Sequence, residues 1–486
     1  MSNTYNQDTY DFTQKYGHEP VVIDINVQDP RIMHKTVMEK YVILNYNLNY
    51  LQSATETPNV VSSGLHQNTE SEFMKTQLLD KGVDNPNNYY SIIANTQTKR
   101  ALSIAPSVPI PLDDFIQQFP FGTEDIQITQ MTEGTMVQLF YDSTEYEWQI
   151  ATRRFIGGTN YHYRTEYPGY TFQPQKTFRE MFYDALTQVT NAPKIIQETD
   201  PDGIVCGLNY NPHETYYNTP LSSIPYIKTL DKSCCYSYII THSSNPLTNV
   251  VFIPTITLIA VCEIIDYGIG TGKQIAYTIP QSVFAERIPK EYRKIVRVQS
   301  IIDWSGKSLR DETLNYMFMN DNHPGLMLTN TKTGERAVLE NISYREVMKL
   351  RGNHKNLQYQ FFEIYLSKRL DKFLSRFPVF NKLFLRFFDQ YYDFTFRVYS
   401  TYVQYYIHKN REGVNYEFHK HASKIHSDIY LPSVDFDDYV YTHYRDIYVP
   451  DRIKTKITRQ IVQEYFDKMT PSQLYHIVTT TMVDIV

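Results

Sequence analysis

The sequence predicts an α+β protein in which a strand-rich, antiparallel domain is followed by a helical C-terminal domain. Between residues 88 and 353, short segments alternate apolar and polar side chains and are separated by turn-forming residues. From 354 to 486 the apolar residues recur at helical spacing instead. Residues 1–87 are polar and rich in Asn, Thr and Gln. They indicate an N-terminal extension that is partly irregular, with a helix-like stretch over 33–51.

The strand-rich domain begins with a predicted hairpin over 89–105, in which a polar turn separates two alternating segments. A second hairpin is predicted around the Glu133-Gly134 turn. Capping boxes at Thr177 and Ser343, each with Glu three residues later, predict that helices begin there. Later strands are predicted over 237–241, 250–253, 257–264, 325–329 and 336–339.

In the C-terminal domain, helices are predicted over 357–377, 379–408 and 452–468, and a capping box at Thr470 opens a last helix. Aromatic residues between 384 and 406 fall on more than one helical face. This pattern favours a helix buried on most sides, and an RNA-stacking surface is the alternative.

Three histidines follow at positions 419, 421 and 426. Their spacing fits no regular metal site, so the pattern indicates a basic, half-exposed segment, and no metal site is predicted in the chain.

Composition limits the function. The net charge is −6, so a dedicated non-specific nucleic-acid binder is disfavoured and RNA contact would need a local basic surface. The four cysteines lack metal spacing and indicate free thiols in a reducing compartment. The first residues lack the features of a signal peptide, which predicts that the protein is not secreted. The longest apolar run, 250–261, is too short to span a membrane, and no membrane partner is predicted.

One turn carries the strongest functional signal. Met131-Thr132-Glu133-Gly134 joins two alternating segments, the second of which ends at Arg153-Arg154. It resembles the nucleotide-binding turn of the covalent nucleotidyltransferases, which include DNA ligases, RNA ligases and mRNA-capping guanylyltransferases. In that family a nucleophilic lysine stands two residues before the acidic residue, and here that position is Met131.

The resemblance extends over residues 88–356 and is most similar to phage-type RNA ligases of the first subfamily and their relatives in large DNA viruses. It implies an antiparallel-sheet, ligase-like nucleotidyltransferase domain. The segment 236–246 resembles the ribose-binding strand, Pro324-Gly325 the metal-carboxylate strand, and 336–341 the late lysine strand.

Each chemical group that the family needs is missing at the matching position. Nucleotidyl transfer needs a lysine nucleophile, carboxylates for the ribose and the metal, and late lysines that stabilise the phosphate. The corresponding positions hold Met131, Ser237, Pro324, Val338 and Glu340. The resemblance therefore implies a pseudoenzyme with no cofactor. An active enzyme using ATP and Mg²⁺ would need a displaced lysine, for which Lys176 and Lys99 are the candidates.

Six other residues of the matched region are candidates for contact with a nucleotide or RNA: Glu133, Gly134, Arg153, Arg154, Arg336 and Arg351. The resemblance implies RNA or other viral proteins as partners, in the virion or the infected-cell cytoplasm. A virion structural protein without nucleotide affinity is the second alternative.

Overall fold

The structure is a computed structural model. It describes residues 21–23, 25, 32–46, 91–119, 125–162, 176–187, 220–245, 247–248, 251–267, 273–302, 321, 323–352, 354–434 and 455–483. The chain divides into two compact units, residues 1–349 and 350–486, whereas the sequence places the boundary between 353 and 354.

In the described residues of the first unit, the strands form three sheets. The strands are β1 (Val21–Ile23), β2 (Ile32–Val37), β3 (Tyr41–Tyr46), β4 (Ser91–Asn95), β5 (Ala101–Ile104), β6 (Ile126–Gln130), β7 (Thr135–Asp142), β8 (Glu147–Ala151), β9 (Cys234–Thr241), β10 (Thr255–Tyr267), β11 (Lys273–Ile279), β12 (Val296–Val298), β13 (Gly325–Asn330) and β14 (Arg336–Glu340). The main sheet has seven strands in the order β1-β11-β10-β9-β7-β8, with β12 pairing in parallel with β10. A four-stranded sheet has the order β2-β3-β4-β5, and a small sheet has the order β14-β13-β6.

The mixed helix-and-sheet class, with antiparallel sheets and a helical C-terminal region, is confirmed. The helix-like stretch predicted over 33–51 is wrong, because β2 and β3 occupy its described part. Val42, Ile43 and Leu44 are buried in succession, as in a strand covered on both faces, and β3 pairs with β4. The described part of the N-terminal extension therefore belongs to the first unit.

The hairpin predicted around Glu133 is also wrong. β6 pairs with β13 in the small sheet, whereas β7 pairs with β8 and β9 in the main sheet. The Glu133-Gly134 turn thus carries the chain from one sheet to another, and the local hairpin is β7–β8. Alternation predicts strands but does not identify their partners, which explains the error.

The strand predicted over 250–253 is wrong in its described part. Phe252 and Ile253 are 89% and 62% exposed in a bend, and β10 begins after Pro254. Proline lacks the N–H that a central strand would donate, so its position before the first residue of β10 is a natural place for the ladder to start.

The first unit also contains helices α1 (Leu112–Gln118), α2 (Phe178–Thr187), α3 (Pro225–Lys228) and α4 (Gln281–Arg287), and α5 (Ile342–Arg351) begins in it. The capping box at Thr177 is confirmed, since the Glu180 backbone N–H donates to Thr177 Oγ1 and the Thr177 backbone N–H donates to Glu180 Oε2. The box at Ser343 is wrong, because Asn341 Oδ1 accepts from the Tyr344 backbone N–H instead. An asparagine is an equally good N-cap, and it lies one position before α5.

The second unit is helical, and its capping box at Thr470 is confirmed by reciprocal bonds with Gln473. One face of its longest helix is buried, including Phe384 and Tyr391, but Tyr392 and Phe396 are nearly half exposed, so burial is less complete than predicted. The helices are α6 (Leu357–Leu366), α7 (Leu370–Arg376), α8 (Asn381–Tyr402), α9 (Tyr416–Ile425), α10 (Arg459–Asp467) and α11 (Pro471–Val483).

Cys234, Cys235 and Cys262 are free, as predicted, and all three are buried, whereas Cys206 lies outside the described residues. None of the helices in the described ranges is both long and apolar enough to cross a membrane.

Candidate functional site

A groove with a volume of about 170 Å³ lies between the main sheet and the small sheet of the first unit. We call it the inter-sheet groove. Strands β9, β10 and β11 line one side, and β6, β13 and β14 line the other. Apart from Arg336, its polar side chains are mainly hydroxyls and amides, from Ser107, Gln127, Thr129, Ser237, Thr278, Gln281, Gln299, Thr329, Asn330, Thr331 and Thr333.

Strand alternation gives the small sheet two different faces. Ile128, Leu326, Leu328, Ala337 and Leu339 pack with Phe115 of α1 in an apolar core. Their neighbours along each strand point to the opposite face, where polar side chains from β6 and β13 line the inter-sheet groove. One face of this sheet stabilises the unit and the other is available to a ligand.

Three of the five positions at which the family's chemical groups are missing lie together on the groove face of the small sheet. The Met131 backbone N–H donates to the Gly325 carbonyl over 3.0 Å, and Gly325 is paired with Glu340. Val338 is paired with Met327, which lines the groove. Because cross-strand partners share a face, Met131, Val338 and Glu340 lie on the same face of the small sheet as Met327, and none of the three belongs to the described groove lining.

The other two of these five positions are Pro324 and Ser237. Pro324 directly precedes β13, and its carbonyl accepts from the Asn341 backbone N–H over 3.0 Å. Ser237 lies across the inter-sheet groove on β9 and is 3% exposed. It is paired with Gln138, whose buried Nε2 has no hydrogen-bond partner among the described residues.

Among the described residues that line the groove, Arg336 is the one with a charged side chain. Its Nε lies 3.4 Å from Met327 Sδ, a weak acceptor. Burial lowers the pKa of Arg336 to about 10, so the guanidinium remains charged at neutral pH. No carboxylate belongs to the described lining, and a half-buried cation without a counter-ion in that lining favours an anionic ligand.

Glu133 and Gly134 shape the turn and do not line the inter-sheet groove. The Thr248 backbone N–H donates to Glu133 Oε1 over 2.8 Å, and the Thr248 hydroxyl donates to Glu133 Oε2. Thr241 Oγ1 donates to the Glu133 carbonyl over 2.6 Å. These bonds hold the turn against the last residue of β9 and the segment that follows it, so Glu133 has a structural role in the first unit.

The other candidate arginines lie elsewhere. Arg153 and Arg154 are exposed in the turn after β8 and are not part of the groove lining. Arg351 is 2% exposed within the helical unit, where its Nη1 donates to the Gly352 carbonyl over 3.2 Å. Of the six candidates, the structure therefore brings Arg336 to the groove.

The two lysines considered as displaced nucleophiles are also outside the groove lining. Lys176 forms an ion pair with Asp184, which also accepts from His242 Nε2 over 3.2 Å. Lys99 is exposed in the turn between β4 and β5. Because an ammonium in an ion pair has no lone pair, the contact of Lys176 does not prepare it for attack on a phosphate.

Most of the groove's polar side chains were not identified from the sequence. A signal was present in β6, where the polar Gln127 and Thr129 alternate with the apolar Ile126 and Ile128. Two-residue periodicity separates the polar face from the core, but it does not show that another sheet lies opposite.

The described residues contain no group of three or more His, Cys, Asp or Glu side chains placed to hold a metal ion. The chemistry that the groove offers is recognition of an anion by Arg336 and of polar groups by hydroxyls and amides. In comparisons with known proteins, no family model matches this chain and no curated protein matches it.

Proposed function

We propose that the protein is a non-catalytic, RNA-ligase-like pseudoenzyme whose inter-sheet groove binds the phosphate of a nucleotide or of an RNA end. The observation that carries the proposal is a groove between two sheets in which Arg336 supplies the charge and hydroxyls and amides supply the remaining polar groups. The resemblance of the flanking strands to nucleotidyltransferases supports the choice of a nucleotide over other anions.

The positions that match the family's catalytic residues lack the reactive side chains, which supports binding without catalysis. Met131 has no amine that could attack an α-phosphate, and Ser237 and Pro324 supply no carboxylate. Val338 cannot stabilise the negative charge of a phosphate during its transfer, and Glu340 would repel that charge. Glu340 instead accepts from Arg345 Nη1 over 3.0 Å.

Arg336 is suited to binding a phosphate. A guanidinium presents its N–H donors in a planar fork that matches phosphate oxygens, and it is more weakly hydrated than an ammonium. The adjacent hydroxyls can donate to the other phosphate oxygens or to the ribose. A phosphate in this position would supply the counter-ion that the described lining lacks.

Replacing Arg336 with methionine is expected to weaken nucleotide binding about tenfold or more, because a hydrogen bond between charged partners contributes about 1.5–3 kcal/mol. Isothermal titration with ATP, GTP and a 5′-phosphorylated RNA oligonucleotide measures the effect. Arg297→Met is the matched control, since Arg297 is exposed on β12 outside the groove lining. Equal affinities for wild type and Arg336→Met would contradict the proposal.

A further inference from the structure

Two of the buried cysteines face each other across neighbouring strands of the main sheet. Cys235 on β9 is the direct cross-strand partner of Cys262 on β10. Both belong to the apolar core between the main sheet and the four-stranded sheet. Successive side chains of a strand point to opposite faces, and Cys234 accordingly packs in the other core, which includes α2. We call Cys235 and Cys262 the thiol pair.

The position of the thiol pair in the ladder suits a disulfide. The Ile264 backbone N–H donates to the Ser233 carbonyl over 3.0 Å, so these two residues, opposite each other in the same register, form a hydrogen-bonded pair. Such pairs recur at every second residue of an antiparallel ladder, so Cys262 and Cys235 form the next one, with Cα atoms about 5.5 Å apart. Disulfides join cysteines whose Cα atoms are about 4.4–6.8 Å apart. The strands therefore need no large displacement for the two sulfurs to bond.

The surroundings of Cys235 favour its thiolate form. A hydrogen bond from the Cys262 thiol lowers the pKa of Cys235, and burial opposes this effect. The backbone N–H of Ile104 on β5 also donates to Cys235 Sγ, over 3.4 Å. The hydrogen bond between the thiols, together with burial, holds the pKa of Cys262 well above its usual range. Because the thiolate is the attacking form of a cysteine, Cys235 is the sulfur suited to attack its partner.

Cys262 is the member of the pair that a small molecule can approach. It lines the inter-sheet groove together with its other cross-strand partner, Thr278. Cys262 is 9% exposed, whereas Cys235 is 2% exposed and lies outside the described lining. A cavity holds one water molecule in roughly 10–15 Å³, and the groove has about 170 Å³. The groove therefore admits an oxidant as small as hydrogen peroxide to the Cys262 sulfur.

We propose that the thiol pair is an oxidative modification site, at which a hydroperoxide converts Cys235 and Cys262 into a disulfide between β9 and β10. In the first step the Cys262 sulfur attacks the O–O bond of hydrogen peroxide and becomes a sulfenic acid, and its proton leaves with the released water. In the second step the Cys235 sulfur attacks the sulfur of the sulfenic acid and expels hydroxide, which takes the Cys235 proton and leaves as a second water. The peroxide gains the two electrons that the two thiols lose.

The inference does not depend on nucleotide binding, because the oxidation uses the groove only as a path for the oxidant. It also separates the thiol pair from the neighbouring cysteine. Burial raises the pKa of Cys234 to about 12, and its side chain lies on the opposite face of β9. Cys234 is therefore expected to remain a thiol.

The test is mass-spectrometric mapping of disulfides in the folded full chain after treatment with hydrogen peroxide, with the remaining thiols alkylated in denaturant. Trypsin is unsuitable, because no Lys or Arg lies between 233 and 272 and one peptide would carry all three cysteines. Chymotrypsin can separate the pair, since Tyr236, Tyr238 and Phe252 lie between its members. The expected product is a linked pair of peptides containing Cys235 and Cys262, which dithiothreitol separates again.

Three variants sharpen the result. Cys234→Ser is the matched control, because Cys234 is adjacent and equally buried, and it should form the same disulfide. Cys206→Ser, outside the described residues, should form it too. Cys235→Ser should lose the disulfide and leave Cys262 as a sulfenic acid that dimedone traps.

Three outcomes would overturn the proposal. The first is a thiol pair that stays fully alkylatable at a peroxide concentration that oxidises the denatured chain. The second is a disulfide that joins Cys262 to Cys234 or to Cys206. The third is oxidation of Cys262 beyond the sulfenic acid while Cys235 remains reduced. If Cys235→Ser fails to fold, the maps of wild type and Cys234→Ser decide the question by themselves.

Discussion

Replacing Phe384 with alanine is expected to lower the free energy of unfolding of the helical unit by about 3–5 kcal/mol. Phe384 is fully buried on α8. Its ring centroid lies 4.9 Å from that of Phe373, 5.7 Å from Phe380 and 5.8 Å from Phe361. The substitution removes the common neighbour of these rings and leaves a cavity that helices held by their other contacts cannot fully close.

The adjacent residue provides the control. Leu385 is 54% exposed on the same helix, so Leu385→Ala should change the free energy of unfolding by less than about 1 kcal/mol. Urea unfolding followed by circular dichroism at a helical wavelength measures both variants. A loss below about 1 kcal/mol for Phe384→Ala would show that α8 is not the centre of this core.

Replacing Gly134 with alanine is expected to destabilise the first unit by about 3 kcal/mol or more. Gly134 has φ +149°, a conformation that side-chain-bearing residues rarely adopt, and an added Cβ would lie 2.3 Å from the Ile240 carbonyl oxygen. The obstacle is backbone of β9, which is paired on both sides in the main sheet. The turn therefore cannot relax without disturbing the sheet.

Gly334→Ala separates the effect of crowding from that of backbone conformation. Gly334 has φ +73°, and an added Cβ would meet no atom within 4 Å. Gly334→Ala should lower the free energy of unfolding by about 1 kcal/mol, because only the backbone conformation is unfavourable for alanine. Thermal unfolding of the two variants compares them directly. If Gly134→Ala were no less stable than Gly334→Ala, the close approach of the turn to β9 would be disproved.

Local features of the fold could be predicted from the sequence, and long-range pairing could not. The capping boxes at Thr177 and Thr470 were correct because both partners lie within four residues, and the box at Ser343 was wrong because Asn341, two residues earlier, caps the helix instead. The Glu133 turn was assigned to a hairpin because alternation on both sides is the same whether the strands pair with each other or with distant ones. The partners of β6 and β7 are β13 and β9, which lie more than 90 residues away in the chain.

The same distinction holds for the candidate site. Strand motifs identified Ser237, Val338 and Arg336, which the sheets bring to the groove or to its face. Arg153 and Arg351 were chosen by charge and motif alone, and burial and unit membership place them elsewhere.

The most direct test of the central claim is equilibrium dialysis of the full chain against ATP or GTP radiolabelled at the α-phosphate, with Mg²⁺, followed by denaturing gel electrophoresis of the protein. A non-catalytic inter-sheet groove predicts excess label on the protein side at equilibrium and none on the denatured protein. Label that stays on the denatured protein would contradict the account, because it would reveal a covalent intermediate on a displaced lysine. Equal label on the two sides would contradict it as well, since the groove would then have no nucleotide affinity.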